Sequence, residues 1–316
     1  MHAAVVKQLD QAPHYEEFAE PVAGHEEVVI KVCAAGLHPI VRALASGSHY
    51  SFNAEVPMVA GLDAVGIQPD GRRVYFGAPR RPWGTMAERC AAPAAMCLPL
   101  PDGIDDVQAA AIANPGMSAW LSLKERAELK AGENVLIMGA TGVAGQLAVQ
   151  LARMFGAKRV IAAGRNVGAL ARADVDAIVP LGGSEEEIRG ALAAEVSQGI
   201  DVIIDFLWGR PTELLLQALT GEFKANSTGT IRLVEVGESA GKTINLPGAA
   251  LRSLDLRLLG SGFGSVRIDR IFATIPQLFE AAAAGRLRVD VETVPLADVE
   301  AAWGREEKGR RIVFTI

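Results

Sequence analysis

Gly139, Gly142 and Gly145 stand three apart after an unbroken apolar run from Val135 to Met138, and Val143, Leu147, Leu151 and Phe155 then recur every four residues. The spacing predicts a strand, a tight glycine turn and a helix with one apolar face. Such a turn can do specific chemistry. Gly139 lets the chain turn off the strand, Gly142 carries no side chain to keep a pyrophosphate from the backbone, and Gly145 lets the helix pack close to the sheet. The helix N-terminus presents free N–H groups and the positive end of a dipole to phosphate. A second strand from Arg159 to Ala163 completes a βαβ unit over Asn134 to Asn166, which favours dinucleotide binding over the other reading, a ligand-free glycine turn.

The end of that second strand selects the dinucleotide. Sites for NAD place an acidic residue about 20 residues past the glycines to hold the ribose 2′-OH. No Asp or Glu occurs between Gln146 and Ala173, and the strand ends in Gly164, Arg165 and Asn166. A guanidinium holds a 2′-phosphate through paired charged hydrogen bonds. NADP(H) is therefore expected over NAD(H), the other reading of Arg165 being a solvated loop arginine.

Acid and base groups are confined to one side of the chain. Histidine occurs at His2, His14, His25, His38 and His49 and tyrosine at Tyr15, Tyr50 and Tyr75. The nucleotide half has neither, so a His or Tyr proton donor comes from the first hundred residues, and the active site is expected in a cleft between the halves.

The elements that must position these groups follow from composition and pattern. A chain of 316 residues has room for two domains. Half of it is apolar and 22% charged, the mark of a globular protein with a large core. A net charge of −6 without a Lys/Arg block argues against nucleic-acid or acidic-membrane partners. Cys33, Cys90 and Cys97 are too few and scattered for a disulfide framework or a Cys-rich zinc site, and a cytoplasmic, reduced setting fits. The N-terminus does not read as a secretory signal. Nothing approaches the roughly 18 apolar residues of a membrane span; the Ala-rich window from Val107 to Trp120 is broken by Asn114-Pro115-Gly116. Residues up to Leu100 carry strand and turn signals, with strands at Ala3 to Lys7, Val28 to Val32 and Val74 to Phe76. Helices follow at Asp106 to Ile112 and Ser118 to Glu128. Beyond the glycine turn, strands at Ala177 to Pro180, Asp201 to Leu207, Ile231 to Val236 and Leu256 to Leu259 alternate with helices at Glu185 to Val196 and Pro211 to Leu219. That alternation predicts a doubly wound α/β sheet. A helix from Arg270 to Ala284 closes it, and strands at Val289 to Pro295 and Arg311 to Phe314 return to the first unit.

Motifs in this order resemble the medium-chain dehydrogenase/reductase superfamily, most closely its zinc-free quinone oxidoreductase branch. The resemblance runs nearly end to end through AAGLHPIVRALASGSHY, VPMVAGLDAVG, DGRRVYFG, AAAIANPGMSAW, AGENVLIMGATGVAGQLAVQLARMFGAKRVIAAGR, GIDVIIDFLWG, LPGAALRSLDLRLLGSGFGSV, VPLADVEAAW and GRRIVF. It implies a Rossmann nucleotide-binding domain at 118–284 and a GroES-like catalytic domain at 1–117 completed by 285–316. Short-chain dehydrogenases are excluded, because they need a Tyr-x-x-x-Lys after the glycine turn and no tyrosine lies beyond Tyr75.

Departures from the superfamily pattern set the subtype. Zinc alcohol dehydrogenases of the superfamily carry Cys near His38 and Gly-His-Glu where this chain has Gly61-Leu62-Asp63, and their four-cysteine loop is absent. Catalytic zinc needs about three protein ligands, so no metal is expected. Without a Lewis acid, hydride goes to an acceptor that is already activated, so the implied activity is NADPH-dependent reduction of a quinone or conjugated enone. A conventional alcohol or ketone dehydrogenase and a non-catalytic NADPH sensor are the other readings.

The resemblance also implies roles for residues. His38 stands where quinone oxidoreductases usually carry the Asn of a Gly-x-Asn segment, as a proton donor or a loop histidine bonded to backbone. His49 and Tyr50 fall in a stretch near the family's substrate cleft, Tyr50 as hydroxyl donor or packing residue. Asp63 is read as a buried carboxylate paired with a backbone N–H, a catalytic carboxylate being the other reading. Asn114 is read as a ligand of the nicotinamide carboxamide or as an N-cap. Cofactor contacts are implied at Ala140, Thr141, Gly142, Val143, Ala144, Gly164, Arg165, Asn166, Leu207, Trp208, Gly237, Gly262, Phe263 and Gly264. Trp208 is equally a core or interface residue, and Arg172 a second 2′-phosphate ligand or an exposed helix end. A homodimer joined through edge strands at Leu256 to Gly260 is implied as well.

Overall fold

The computed structural model describes residues 1–49, 55–220, 229–306 and 308–316. The chain divides into two compact units, Met1–Pro115 with Ile275–Ile316, and Gly116–Thr274.

The first unit is β-rich because its apolar residues alternate and its prolines and glycines break helical runs. Its strands are β1 (His2–Val6), β2 (His14–Glu17), β3 (Glu27–Gly36), β4 (Met58–Val59), β5 (Asp63–Ile67), β6 (Arg73–Gly77), β7 (Arg89–Pro93) and β8 (Cys97–Pro99). A short helix, α1 (Pro39–Ala45), starts on Pro39, whose missing N–H costs nothing at the first helical position. The β5–β6 hairpin turns at Gln68, whose N–H donates to Arg72 O at 2.9 Å around the expected Pro69-Asp70-Gly71.

Helix α2 (Asp106–Leu121) departs from the sequence expectation, since it runs unbroken through Pro115 and ends in a π-turn at Ser122–Arg126. An internal proline costs about 3 kcal/mol. Burial of Ala109 to Ala113 before it and of Met117, Ala119 and Leu121 beyond it carries the helix across.

The second unit is a sheet of β9 (Asn134–Met138), β10 (Arg159–Gly164), β11 (Ala177–Pro180), β12 (Val202–Asp205), β13 (Ile231–Glu235) and β14 (Leu256–Gly260). Its strands are all parallel in the order β11-β10-β9-β12-β13-β14, the doubly wound Rossmann order. The helices of this unit are α3 (Val143–Met154), α4 (Val167–Leu170), α5 (Glu185–Val196), α6 (Gly209–Thr220) and α7 (Gly248–Ser253). Sequence sets their starts. Helix α5 opens on a capping box in which Ser184 Oγ accepts from the Glu187 N–H and the Glu187 carboxylate accepts from the Ser184 N–H at 2.7 Å. Leu136, Met138, Ile161, Ile203 and Leu233 build the core of this unit with α5 and α6.

Helix α8 (Ile268–Ala283) leads back to the first unit, where β15 (Val291–Pro295), α9 (Val299–Trp303) and β16 (Arg311–Thr315) complete the fold. Strand β16 pairs antiparallel with β3, joining the C-terminus to the larger sheet β15-β16-β3-β5-β6-β8, with β7 also on β3. Its core gathers Ile30, Val32, Leu37, Met58, Phe76 and Phe314.

Candidate active site

The glycine turn is built as its spacing predicts. Gly139 follows β9 at φ +84°, a left-handed conformation that favours glycine. A Cβ on Gly145 would lie 2.3 Å from Gly139 O, so only glycine lets α3 start this close to the sheet. Gly142 is the N-cap of α3 and offers no side-chain cap. The first N–H groups of the helix, at Val143, Ala144 and Gly145, therefore have no intrahelical acceptor. A Cβ on Gly142 would meet only Gly139 O, at 3.5 Å, and the residue is exposed. Free donors, a dipole end and open backbone together suit a phosphate.

The neighbouring strand ends complete the rim. At the end of β10, Gly164 is buried against Thr141, whose Cγ2 would lie 3.0 Å from an added Cβ. Arg165 is exposed, and no hydrogen bond or ion pair ties its side chain among the described residues. Asn166 is already engaged, its Oδ1 accepting the Ala169 N–H at 3.0 Å as the N-cap of α4. One guanidinium N–H of the exposed Arg172 is spent on Gly168 O at 2.8 Å. These residues fit a 2′-phosphorylated dinucleotide, with Arg165 as a cation untied among the described residues.

Strands β9 and β12 are neighbours at the point where strand order reverses, which is where ligands bind in open α/β sheets. A Cβ on Gly139 would lie 3.0 Å from Leu207 Cδ2, so the two turns pack on each other. Buried Asp205 holds the second turn. Its Oδ1 accepts from Leu207 N at 2.9 Å and Trp208 N at 3.1 Å, and its Oδ2 from Thr212 Oγ1 at 2.5 Å. Burial pushes its carboxyl above the usual range, partly offset by those hydrogen bonds. The bonds keep Trp208 at φ +53°, half-buried, lining an open recess of about 320 Å³ with Glu235, Glu238, Lys242 and Leu258 to Gly260. Gly237 N donates to Asp205 O at 3.3 Å. The exposed loop of Gly262, Phe263 and Gly264 is closed by Ser265 Oγ, which accepts from Gly262 N at 2.7 Å, and Arg126 donates to Gly260 O and Ser265 O.

In the β-rich unit, His38 caps α1 and is fully buried, as nearly is Asp63 at the start of β5. Among the described residues neither ring nitrogen of His38 has a hydrogen-bond partner, and the expected bond to backbone is not found there. Asp63 also corrects its expectation, since its partner is the Tyr75 phenol at 3.0 Å and not a backbone N–H. Asn114 is half-buried in the interior of α2, neither N-cap nor turn, and its side chain makes no hydrogen bond among the described residues. His49 is half-buried, its N–H donating to Ala43 O at 3.2 Å. Tyr50 lies outside the described residues. Tyr75 and Asp205 were not among the residues expected at a site. Asp205 had a signal in Ile-Asp-Phe at a strand end, whereas Tyr75 emerges only from the β5–β6 register. Among the described residues, no three His, Cys, Asp or Glu side chains gather as a metal site needs, and no helix is long and apolar enough to cross a membrane.

No protein-family model matches the chain. It is 25% identical to a probable NADPH-dependent quinone reductase of Emericella nidulans over 99% of both chains. It is 33% identical to the quinone oxidoreductase of Sus scrofa over 202 residues, 60% of each chain. The solved quinone oxidoreductase of Thermus thermophilus, studied alone and with NADPH, is 27% identical and superposes with a TM-score of 0.81 over 100% of both chains. These likenesses bear out the resemblance to the quinone oxidoreductases of the medium-chain dehydrogenase/reductase superfamily.

Proposed function

We propose that this chain is an NADPH-dependent, zinc-independent oxidoreductase that reduces a quinone or a conjugated enone. The observation that carries the reading is the glycine turn with Arg165 as a free cation at the end of the adjacent strand, in a chain similar along its whole length to a probable NADPH-dependent quinone reductase. NADPH, when bound, supplies a hydride from its nicotinamide.

The chain's own residues bind and orient. Backbone N–H groups of Val143 and Ala144 take the pyrophosphate, Gly142 keeps the approach open beside Ala140 and Thr141, and Arg165 takes the 2′-phosphate beside Gly164. Asn166 contributes backbone, its side chain being used as a cap. Leu207, Trp208, Gly237 and Gly262 to Gly264 flank the cofactor, and Asn114 is assigned to its carboxamide. His38, His49 and Tyr50 are the proton sources of the proposal. Leu62 stands where zinc enzymes of the superfamily carry a histidine ligand, so polarisation of the substrate falls to hydrogen bonds, and positioning is the main contribution of the pocket.

The same reading divides the chain into a GroES-like catalytic domain at 1–117 with 285–316 and a nucleotide domain at 118–284, and assigns it to the cytoplasm. It also includes a homodimer. Strand β14 pairs only with β13 among the described residues, which leaves an open edge for a second copy. Sedimentation of the full chain at twice the monomer mass is expected.

The test of activity is anaerobic NADPH oxidation by metal-stripped protein with a small quinone and an unsaturated ketone, with NADH as control. Turnover with NADPH and much less with NADH is expected. Turnover only after zinc is restored, or only of a simple secondary alcohol, overturns the reading.

A further inference from the structure

One proton source of the proposed reading, His38, lies in a buried polar cluster of the β-rich unit. In the β5–β6 hairpin Asp63 pairs with Gly77 and Val65 with Tyr75, so Asp63 and Tyr75 are diagonal neighbours on one face, within reach of long side chains. The phenol of Tyr75 donates to Asp63 Oδ2 at 3.0 Å. Burial, and then the Asp63 charge, push the phenol well above its usual range, so it keeps its proton and stays a donor. His38 Nε2 stands 3.6 Å from the same carboxylate oxygen, an ion-pair distance and longer than a hydrogen bond. Gly36 makes room for the ring, since a Cβ there would lie 2.6 Å from His38 Nε2 and 2.8 Å from Ala110 O. Thr85 Oγ1 fixes the backbone of Asp63 by donating to its carbonyl at 3.0 Å.

Three buried polar atoms of this cluster, His38 Nδ1, His38 Nε2 and Asp63 Oδ1, have no hydrogen-bond partner among the described residues. An unsatisfied buried polar group costs about 1–3 kcal/mol. A cluster kept only for packing would shed that cost with apolar residues of similar shape. His38 also stands near a position where this chain departs from the metal-ligand pattern of the superfamily's zinc enzymes, and Asp63 directly follows another, Leu62.

We infer that His38 is the proton donor of the reduction and that Asp63, held by Tyr75, is the positioning residue that aims its imidazole. The inference rests on the proposed reading that reduced nicotinamide delivers hydride to a quinone or enone. Hydride brings two electrons to the substrate carbon or ring, and the displaced electron pair moves to the carbonyl oxygen. The His38 N–H bond breaks, an O–H bond forms on that oxygen, and the imidazole regains a proton from water after product leaves. Asp63 exchanges no proton in this step and keeps Tyr75 as its fixed donor. Arg311, whose Nη1 donates to Leu37 O at 2.7 Å, holds the backbone one residue before the imidazole.

The test compares His38→Asn, His38→Gln, Asp63→Asn and the double variant H38N/D63N in NADPH-dependent reduction of an unsaturated ketone. NADPH binding is read separately by fluorescence, and folding by thermal melting. Loss of a positioned acid is expected to lower kcat about 10²-fold, with KM and NADPH affinity unchanged, in both H38N and D63N. The double variant should be no slower than H38N alone, because groups acting as one unit are not additive. If D63N does not fold, H38N and H38Q carry the test. Wild-type kcat in both His38 variants overturns the inference, as does D63N slowing the enzyme equally in the presence and absence of His38. Wild-type protein that binds NADPH but reduces no quinone or enone overturns the proposed function and this inference together, an outcome distinct from selective failure of the His38 and Asp63 variants.

Discussion

Gly145 and Gly139 touch so closely that a Cβ on the first would lie 2.3 Å from the carbonyl oxygen of the second, whereas a Cβ on Gly142 would find that oxygen at 3.5 Å. Two glycines of one turn therefore have different roles. Gly145→Ala must push α3 off β9, and overpacking of this kind costs about 1–3 kcal/mol. Gly142→Ala has room in the fold but places a methyl at the proposed phosphate site. Melting should show G145A destabilised and G142A near wild type, while NADPH titration shows weakened binding in both. Wild-type NADPH affinity in G142A would remove Gly142 from the phosphate site.

Arg165 is exposed and untied to any other described side chain, so removing it should cost little stability. Its proposed partner is the 2′-phosphate alone. Arg165→Gln is expected to weaken NADPH about tenfold or more, since hydrogen bonds to charged groups contribute about 1.5–3 kcal/mol. NADH binding should stay as it was. Equal losses for both cofactors would assign Arg165 another role and shift the search for the phosphate ligand to Arg172.

The nucleotide unit is the legible part of this sequence. Its central strands β9, β10 and β12 are almost wholly buried, so each reads as an apolar run ended by glycine or a polar turn, and Glu185–Val196 falls on its expected bounds. Helix α2 reads as two in the sequence because Pro115 is a local signal, while the burial that carries the helix through it is tertiary. The Tyr75–Asp63 bond is hidden for a related reason. Twelve residues separate the pair, and only the register of the β5–β6 hairpin puts both side chains on one face. Asn166 reads as a cofactor ligand from its place after β10, and the same place makes it a helix cap.

Asp205 ties the turn after β12 through Leu207 N, Trp208 N and Thr212 Oγ1. Asp205→Ala leaves two N–H groups and a hydroxyl without their acceptor and should cost about 1–3 kcal/mol for each that stays dry. Trp208 would lose the bond that keeps its left-handed backbone, and its fluorescence should change. The wild-type carboxyl is raised by burial, so the stability linked to it is fully present below the unfolded value of about 4 and is lost as pH rises through the folded one. Asp205→Asn removes that titration. The stability difference between wild type and D205N should therefore move in favour of D205N as pH rises from 4 toward neutrality, and a difference independent of pH would contradict the burial argument.

Tyr75 gives the alkaline counterpart. Its phenol is raised well above the usual range by burial and by Asp63, while the unfolded chain ionises it near pH ~10. The raised folded value means that the linked stability is whole below the unfolded value and lost as pH climbs through the folded one. Tyr75→Phe removes both the titration and the donor to Asp63. At neutral pH the variant should be less stable by about 1.5–3 kcal/mol, the size of a hydrogen bond to a charged group. Above the unfolded value wild type alone must keep a proton that its unfolded chain gives up, so the gap should narrow by up to about 1.4 kcal/mol per pH unit. Urea midpoints for both proteins at pH 8, 9, 10 and 11 measure it, the other titrating groups cancelling in the difference. A gap that stays constant through pH 11 would mean the phenol ionises alike in both states, and Tyr75 could not then be the fixed donor that holds Asp63.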